Sequence, residues 1–317
     1  MFKKKWNLIL VFLIMFSLIF TGCSSSNSNN QSSNNTKKNE VVKNTTYPLE
    51  VSDSLKKQIV IKNEPKRVIS LSPNITEIIY ALNKQGTLVG RTDYCDYPKA
   101  ALKIQSLGSI TDPNVEKIVE LKPDLIITSS LTKPDTLKKL QQLKLNVLVL
   151  SNTESFENTY DLIKTIGNVL NENQKAYTVV SNMKQKIQNV ESKIKGKSKP
   201  SVYYIISYGK NGDFTAGKDT FIGKMINMAG GKNAADDVMG WNYSLEKLIE
   251  KNPDIMICSN KFNSKAGIKS ANGYKDLKAV KDNKLFEIND DLIDRQGPRL
   301  ADGFEALAKI IHPEAFK

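Results

Sequence analysis

One fourteen-residue unit occurs twice in this chain, and it constrains the fold more than any other feature. Residues 114–127 read NVEKIVELKPDLII and residues 244–257 read SLEKLIEKNPDIMI, with six of the fourteen positions identical. Each copy begins with a polar N-capping residue, continues as a short helical pattern, and passes through a proline into an apolar run typical of a buried strand. Because the copies lie 130 residues apart, the sequence predicts two lobes that share one helix-to-strand unit.

Strand and helix patterns alternate through the rest of the chain from about residue 47. Strands are predicted at residues 68–72, 125–128, 147–150, 202–207, 255–259 and 285–288. Helices are predicted at residues 74–82, 114–121, 134–143, 219–229 and 244–251. Strands that alternate with helices favour an α/β fold whose sheets are mainly parallel and carry helices on their faces.

A long amphipathic segment separates the two halves. Its apolar residues recur at spacings of three and four, which predicts one helix of about six turns. They are Ala176, Val179, Met183, Ile187, Val190 and Ile194. Gly196 and Pro200 are expected to end this helix. We therefore predict an N-terminal lobe at 47–170, a stiff connecting helix at 171–197, and a C-terminal lobe at 198–317.

The N-terminus is typical of an export signal. Three lysines at positions 3–5 precede a thirteen-residue apolar run at 8–20, which is shorter than the roughly 20 residues of a membrane-spanning helix. The run ends in FTGC at residues 20–23, which resembles a bacterial lipobox. We predict a signal peptide at 1–22 and a diacylglycerol group on Cys23. Residues 24–39 carry no apolar side chain, so we predict that 23–46 is the lipidated cysteine and a disordered tether.

Charge and export together exclude one class of partner. The net charge is +13, and loss of Lys3, Lys4 and Lys5 with the signal would lower it by three. In an exported chain this charge indicates a lysine-rich surface rather than nucleic-acid binding. The expected attachment is to the membrane, through lipid.

Few residues are available for metal or nucleophile chemistry. Beyond Cys23 the cysteines are Cys95 and Cys258, and the single histidine is His312. A disulfide between the two cysteines is compatible with export, although their spacing does not require it, and Cys258 lies in an apolar run that favours burial. One histidine excludes a metal site built from several histidines, as well as Ser-His and Cys-His nucleophile pairs. No metal site and no catalytic residue is predicted.

Three segments resemble a known family. They are RVISLSPNITEIIYAL at 67–82, LVGRTDYCDYP at 88–98 and IQSLGSITDPNVEKIVELKPDLII at 104–127. They are similar to the iron-chelate and cobalamin class of ABC-importer binding proteins, and the resemblance covers nearly all of 47–317. It implies two Rossmann-like lobes, a ligand cleft between them, and delivery to an ABC permease dimer with its ATPase subunits. We expect a monomeric, non-enzymatic lipoprotein on the outer face of the cell membrane of a Gram-positive bacterium.

The resemblance gives a role to one glutamate in each repeat. Glu116 and Glu246 lie in the first turns of their helices, where the helix dipole alone would stabilise a carboxylate. In the family, each lobe presents a glutamate at the matching position to arginines of the permease. The resemblance therefore implies that Glu116 and Glu246 dock the two lobes on two like subunits.

Ligand-binding residues are expected in loops at the carboxyl ends of the strands, where open α/β sheets bind ligands. Tyr94, Tyr208 and Trp241 are similar to residues of the cobalamin-binding members, and their aromatic faces suit a flat macrocycle. The segment DDLIDRQGPR at 290–299 matches a C-terminal segment that reaches the cleft in those members. The predicted ligand contacts are Pro73, Asn74, Tyr94, Ile110, Tyr208, Trp241, Asp291, Arg295 and Arg299. Ile110 stands near a position where cobalamin binders commonly have tryptophan.

The ligand implied by these residues is a cobalt corrinoid, and two other chelates stay open. Haem would need an axial ligand, for which Tyr94 or Tyr208 are the candidates because His312 is close to the C-terminus. A ferric siderophore would need cationic groups such as Arg91, Arg295 and Arg299. A hypothesis from another class is a surface hydrolase that uses Glu116 and Glu246 as paired carboxylates, which would have to lie within about 10 Å of each other.

Overall fold

The computed structural model describes residues 43–151 and 154–317. The predicted signal peptide, Cys23 and all of the tether before residue 43 lie outside the described residues. Among the described helices, none combines the length and the apolar character that a membrane crossing would require.

The N-terminal lobe begins with an antiparallel hairpin, followed by strands that alternate with helices. The hairpin strands are β1 (Leu49–Ser52) and β2 (Gln58–Ile61). The following elements are β3 (Val68–Ser70), α1 (Pro73–Ala81), β4 (Leu88–Arg91), α2 (Val115–Glu120), β5 (Leu125–Thr128), α3 (Pro134–Gln142), β6 (Val147–Val149) and α4 (Phe156–Val169). Strands pair in the order β4-β3-β5-β6, and every pair is parallel. The order reverses at β3, so a crevice is expected at the carboxyl ends of β3 and its neighbours.

The predicted long helix is α5 (Asn173–Ile194), a single helix of 22 residues. Its buried residues are Ala176, Val180, Met183, Ile187, Val190 and Ile194, spaced alternately by four and three. The apolar spacing predicts Val179 in this stripe, but the structure buries Val180 and leaves Val179 half-buried. Because Val179 and Val180 are adjacent, the helical spacing of apolar residues fits either one, and the packing of α5 against its neighbours buries Val180.

The C-terminal lobe repeats the alternation with a larger sheet. Its elements are β7 (Ser201–Ser207), β8 (Phe214–Thr215), α6 (Phe221–Met228), β9 (Lys232–Asn233), α7 (Leu245–Lys251), β10 (Ile255–Ser259), α8 (Ser264–Ser270), α9 (Lys278–Lys281), β11 (Leu285–Ile288), α10 (Asp291–Asp294) and α11 (Leu300–Ile311). Strands β11, β10 and β7 form a parallel core, β9 pairs with β7 in parallel, and β8 is antiparallel. Both sheets are therefore mainly parallel, which confirms the predicted fold class.

Apolar packing connects α5 to both lobes. The largest apolar cluster runs from residues of β3 and α1 through α4 and α5 to β7, α6 and α11. Smaller clusters fill the outer side of each sheet. Burial on both sides explains why the strands read as continuous apolar runs, and the shared central cluster makes α5 a rigid connection between the lobes.

Candidate functional site

A buried carboxylate joins the two lobes. Glu77 on α1 is 4 % exposed, yet it accepts two hydrogen bonds from Arg299, from Nη2 at 2.6 Å and from Nε at 2.8 Å. Arg295 Nη1 lies 3.3 Å from Glu77 Oε1 and donates to Asp96 Oδ1 at 2.7 Å. We call Glu77, Asp96, Arg295 and Arg299 the interlobe ion-pair cluster. Bidentate guanidinium–carboxylate contacts have a strict geometry, so this cluster fixes how the lobes approach each other.

The interlobe ion-pair cluster shows which edges of the two sheets face each other. Glu77 follows β3, and Asp96 follows β4, at the carboxyl ends of those strands. The two arginines follow β11 at the carboxyl end of the second sheet. Asn74, which is buried, adds a hydrogen bond across the same junction from Nδ2 to the carbonyl of Gln296 at 3.2 Å. The loops at the carboxyl ends of both sheets therefore border one cleft.

The C-terminal side of this cleft contains a cavity of about 480 Å³. Its apolar wall consists of Ile205, Ile206, Phe214, Ile222 and Trp241. Its polar groups are Tyr204, Ser259, Asp290 and Asp294. A mostly apolar wall with a few polar groups is typical of a small-molecule site. We call this space the acidic cavity.

Carboxyl groups dominate the polar side of the acidic cavity. Asp290 accepts a hydrogen bond from Ser259 Oγ at 2.9 Å and pairs with Lys261 Nζ at 2.8 Å. Asp294 also lines the cavity, and burial, together with the neighbouring charge of Asp290, raises the pKa of its carboxyl to about 7. A carboxyl with such a pKa can act as a donor or an acceptor of hydrogen bonds near neutral pH.

Aromatic side chains are exposed on loops that border the cleft. The exposed fractions are 59 % for Tyr94 after β4, 44 % for Trp241 before α7 and 95 % for Phe262 after β10. Trp241 is held by its backbone, because its carbonyl accepts from the amide of Thr215 on β8 at 2.8 Å. Exposed aromatic faces beside an apolar cavity suit a large ligand with an apolar surface.

Tyr208 takes a position that a glycine on α8 makes possible. A Cβ added at Gly267 would lie 1.9 Å from the Tyr208 hydroxyl oxygen. The Tyr208 ring also packs edge-on against Tyr274, whose hydroxyl donates to Asp213. Asp213 in turn accepts from the amide of Gly209 at 3.1 Å, next to Tyr208 in the chain. These contacts hold Tyr208 beside a second space of about 380 Å³ that continues from the acidic cavity past Ile206 and Ser259.

The predicted ligand residues fall into two groups. Tyr94, Tyr208 and Trp241 lie on cleft loops, Pro73 begins α1, and Ile110 is half-buried in the loop before α2. The charged and amide residues are instead engaged with protein groups. Asp291 pairs with Lys261 and Arg295, Arg295 and Arg299 bind Glu77, and Asn74 binds Gln296.

Other candidates from the sequence have structural partners as well. Arg91 donates to the carbonyls of Ala101 and Thr92 at 2.9 and 2.8 Å. His312 is buried, and its Nε2 lies 3.1 Å from the carbonyl of Gly230. Cys95 and Cys258 are both free and buried, and burial raises the pKa of the Cys258 thiol to about 11. Over residues 43–151 and 154–317, no group of three or more His, Cys, Asp or Glu side chains is arranged to hold a metal ion.

The repeated glutamates occupy equivalent exposed positions. Asn114 and Ser244 cap their helices, accepting from the amides of Lys117 at 2.9 Å and Lys247 at 3.2 Å. The caps place Glu116 and Glu246 in the first turns of α2 and α7, and both side chains are exposed. Neither forms an ion pair within the described part of the chain. They lie beside different sheets, one per lobe.

Four residues of the cleft were not predicted from the sequence: Glu77, Asp96, Tyr204 and Asp294. One signal for Glu77 was present, because six of the nine residues of α1 are buried and a carboxylate between Thr76 and Ile78 must then find a partner. Tyr204 lay in an apolar strand pattern that gives no sign of an adjacent cavity. Within DDLIDRQGPR, the predicted ligand contacts included Asp291 and Arg295 but not Asp294.

A family model and a curated relative both relate this chain to binding proteins of transporters. Residues 68–292 match the family described as periplasmic binding protein. An uncharacterized ABC transporter substrate-binding lipoprotein of Bacillus subtilis, YvrC, is 35 % identical over a 282-residue alignment that covers 87 % of this chain and 89 % of that one.

Two crystal structures show the same fold. A possible iron-binding (periplasmic solute-binding) protein of Staphylococcus epidermidis has a TM-score of 0.70 and 32 % identity, over 79 % of this chain and 100 % of that one. The vitamin B12-binding protein BtuF of Vibrio cholerae has a TM-score of 0.68 and 26 % identity, over 80 % and 99 %. The chain therefore belongs to the periplasmic binding protein family and is a non-enzymatic, substrate-binding component of an ABC transporter.

Proposed function

We propose that the protein binds a cobalt corrinoid in the interlobe cleft and delivers it to an ABC permease dimer and its ATPase subunits. The observation that carries this proposal is the charge of the cleft. Around the interlobe ion-pair cluster and the acidic cavity, five carboxyl groups meet three cations, and a corrinoid periphery offers neutral amides rather than carboxylates. The acidic groups are Glu77, Asp96, Asp290, Asp291 and Asp294, and the cations are Lys261, Arg295 and Arg299.

The cations of the cleft are already paired with protein carboxylates, which disfavours binding of an anionic chelate. Arg299 donates hydrogen bonds from Nε and Nη2 to Glu77, and Arg295 forms ion pairs with three carboxylates. Lys261 pairs with Asp290 and Asp291 at 2.8 and 2.7 Å. The propionates of haem, or an anionic ferric siderophore, would have to displace these pairs and would meet the remaining carboxylates.

Apolar surface supports the same ligand class. Trp241 and Phe262 offer exposed aromatic faces, and Ile206 adds an exposed aliphatic side chain between the two cavity regions. A corrin macrocycle is large, flat on both faces and apolar there. The relationship to the vitamin B12-binding protein of Vibrio cholerae points in the same direction.

Docking and anchoring complete the proposal. We propose that Glu116 and Glu246 each bind an arginine of one permease subunit, because they are exposed, equivalent and free of ion pairs within the described chain. Lipid on Cys23 would hold a monomer on the outer face of the membrane of a Gram-positive cell. The polar residues 24–39 would act as a flexible tether that sets how far the binding domain can move from the membrane.

Trp241 gives the first test of ligand contact. Trp241→Leu is expected to weaken dicyanocobinamide binding about four- to fifteenfold, because leucine keeps part of the apolar contact and the loss corresponds to roughly one or two buried CH₂ groups at about 0.8 kcal/mol each. Isothermal titration calorimetry measures the change. Tyr177→Leu is the matched control, since Tyr177 on α5 is 48 % exposed but lines a different surface. Equal affinity of Trp241→Leu and wild type would exclude Trp241 from the site.

Gly267 tests how Tyr208 is positioned. Alanine in a helix interior is normally more stable than glycine by about 0.5–1 kcal/mol, so Gly267→Ala should not destabilise α8 itself. The new methyl group would displace the Tyr208 hydroxyl and weaken dicyanocobinamide binding about two- to tenfold. Adding Tyr208→Phe, which removes the clashing oxygen, should restore part of the loss. Gly86→Ala is the control, because no atom lies within 4 Å of its added Cβ. Undiminished binding by Gly267→Ala would contradict the positioning role.

A further inference from the structure

The hydroxyl of Tyr204 has no hydrogen-bond partner among the described residues. Its side chain on β7 is 3 % exposed and lines the acidic cavity. The side-chain hydrogen bond that reaches Tyr204, from Thr215 Oγ1 at 2.6 Å, ends on the backbone carbonyl of Tyr204 rather than on its hydroxyl. A ligand group in the cavity is therefore able to form a hydrogen bond with this hydroxyl.

Asp294 supplies a second unpaired group in the same cavity. Unlike Asp290, which has Ser259 and Lys261, the Asp294 carboxyl has no hydrogen bond or ion pair with any described side chain. The charges of Asp294 and Asp290 both act on the Tyr204 hydroxyl and help to raise its pKa well above the ordinary value, after burial as the main cause. Tyr204 and Asp294 both line the acidic cavity.

The two groups have complementary hydrogen-bonding chemistry. A tyrosine hydroxyl can donate to a carbonyl oxygen, and a carboxylate can only accept. A primary amide presents one carbonyl oxygen and one NH₂ group, so it can satisfy both at once. A ligand carboxylate would satisfy Tyr204 but would be repelled by Asp294 and Asp290.

We propose that Tyr204 and Asp294 form an amide-reading subsite, in which the hydroxyl donates to the carbonyl of a ligand primary amide and the carboxylate accepts from its NH₂ group. The apolar side chains of Phe214 and Ile222 line the same cavity and would cover the short hydrocarbon arm that carries the amide. This subsite rests on the proposed corrinoid ligand, whose peripheral arms end in amides. It gives the protein a means to distinguish an amidated corrinoid from its carboxylate counterpart.

The test is titration calorimetry of the full chain with two probes, dicyanocobinamide and dicyanocobyrinic acid, whose peripheral groups are amides and carboxylates respectively. Measurements are made at about pH 8, above the Asp294 pKa of about 7. Tyr204→Phe is expected to weaken dicyanocobinamide binding about three- to tenfold, the equivalent of one neutral hydrogen bond, without lowering the melting temperature. Asp294→Asn is expected to reduce the preference for the amide probe about tenfold, mainly by strengthening binding of the carboxylate probe.

Tyr203→Phe is the matched control, because Tyr203 is the neighbouring residue of β7 and packs in the cluster on the other face of the sheet, where its hydroxyl also has no partner. Its binding of both probes should equal that of wild type. Wild-type affinities in both Tyr204→Phe and Asp294→Asn would overturn the subsite while leaving corrinoid binding intact. Failure of the wild-type protein to bind either probe would instead overturn the proposed function, and the subsite with it.

Discussion

Replacing Glu116 and Glu246 together with alanine is expected to abolish corrinoid uptake while leaving corrinoid affinity nearly unchanged. Both carboxylates are exposed in the first turns of α2 and α7 and make no ion pair within the described chain. Truncating one partner of a buried, hydrogen-bonded charge pair at an interface costs about 2–5 kcal/mol. At about 2 kcal/mol each, loss of one glutamate would weaken docking roughly 30-fold, and loss of both roughly a thousandfold.

The repeat offers its own control for this experiment. Glu120 and Glu250 are also exposed glutamates, each one helical turn after the proposed docking residue on α2 or α7. The Glu120→Ala/Glu250→Ala variant changes the net charge by the same amount and should retain at least about half of wild-type uptake. Uptake of radiolabelled cyanocobalamin by cells that carry each variant makes the comparison. Normal uptake by the Glu116→Ala/Glu246→Ala variant would refute the docking role.

Replacing Glu77 with glutamine is expected to destabilise the protein by about 3–5 kcal/mol, because it leaves Arg299 without its buried counter-charge and removes one of the three carboxylates paired with Arg295. The side chain of Glu77 is 2 % exposed, and those of the arginines are 12 % and 14 % exposed. Water can therefore replace the lost carboxylate only in part. The midpoint of urea unfolding measures the change, and glutamine preserves the shape of the side chain so that packing is not altered.

An exposed ion pair provides the comparison for Glu77. Asp161 and Lys164 pair on α4 with side chains 71 % and 52 % exposed, so Asp161→Asn should change stability by less than about 1 kcal/mol. If Glu77→Gln also falls below about 1 kcal/mol, the interlobe ion-pair cluster does not hold the lobes together. Loss of stability in Glu77→Gln alone would support that role.

The local pattern of the chain was sufficient to predict the fold class. The helix-to-strand repeat fixed α2, β5, α7 and β10, and the capping residues Asn114 and Ser244 have the roles that the pattern indicates. The apolar stripe predicted α5 to within two or three residues at each end. These features depend on neighbours within a few residues, which a single sequence displays directly.

Two helices of the shared apolar cluster were not predicted. Helix α4 follows β6, and α11 follows the arginines of the interlobe cluster. In both, apolar residues are interrupted by glycine and polar residues, as in Ile166-Gly167-Asn168 and Ala301-Asp302-Gly303. Tertiary packing on α5 stabilises these helices despite their glycines, and that packing is not visible in a local window.

The charged residues of the site could not be assigned from the sequence because their partners are distant. Glu77 and Arg295 are 218 positions apart, and Arg295 reads locally as the i, i+4 partner of Asp291. The structure adds Glu77 and Asp96 to that pair. With these partners, the arginines are neutralised by protein carboxylates and are not free cations that a ligand anion could bind. The proposed ligand class rests on the acidic balance of the cleft, which only the fold reveals.

The central claim, that this binding protein captures a corrinoid, is tested most directly by titrating one preparation of the protein with three ligands in the calorimeter. The ligands are dicyanocobinamide, haem and a ferric catecholate siderophore. The acidic, aromatic-bordered cleft predicts saturable binding of one dicyanocobinamide per chain, and at least about 100-fold weaker binding of the two anionic chelates. Tight binding of haem or of the ferric siderophore, with no heat from dicyanocobinamide, would contradict it.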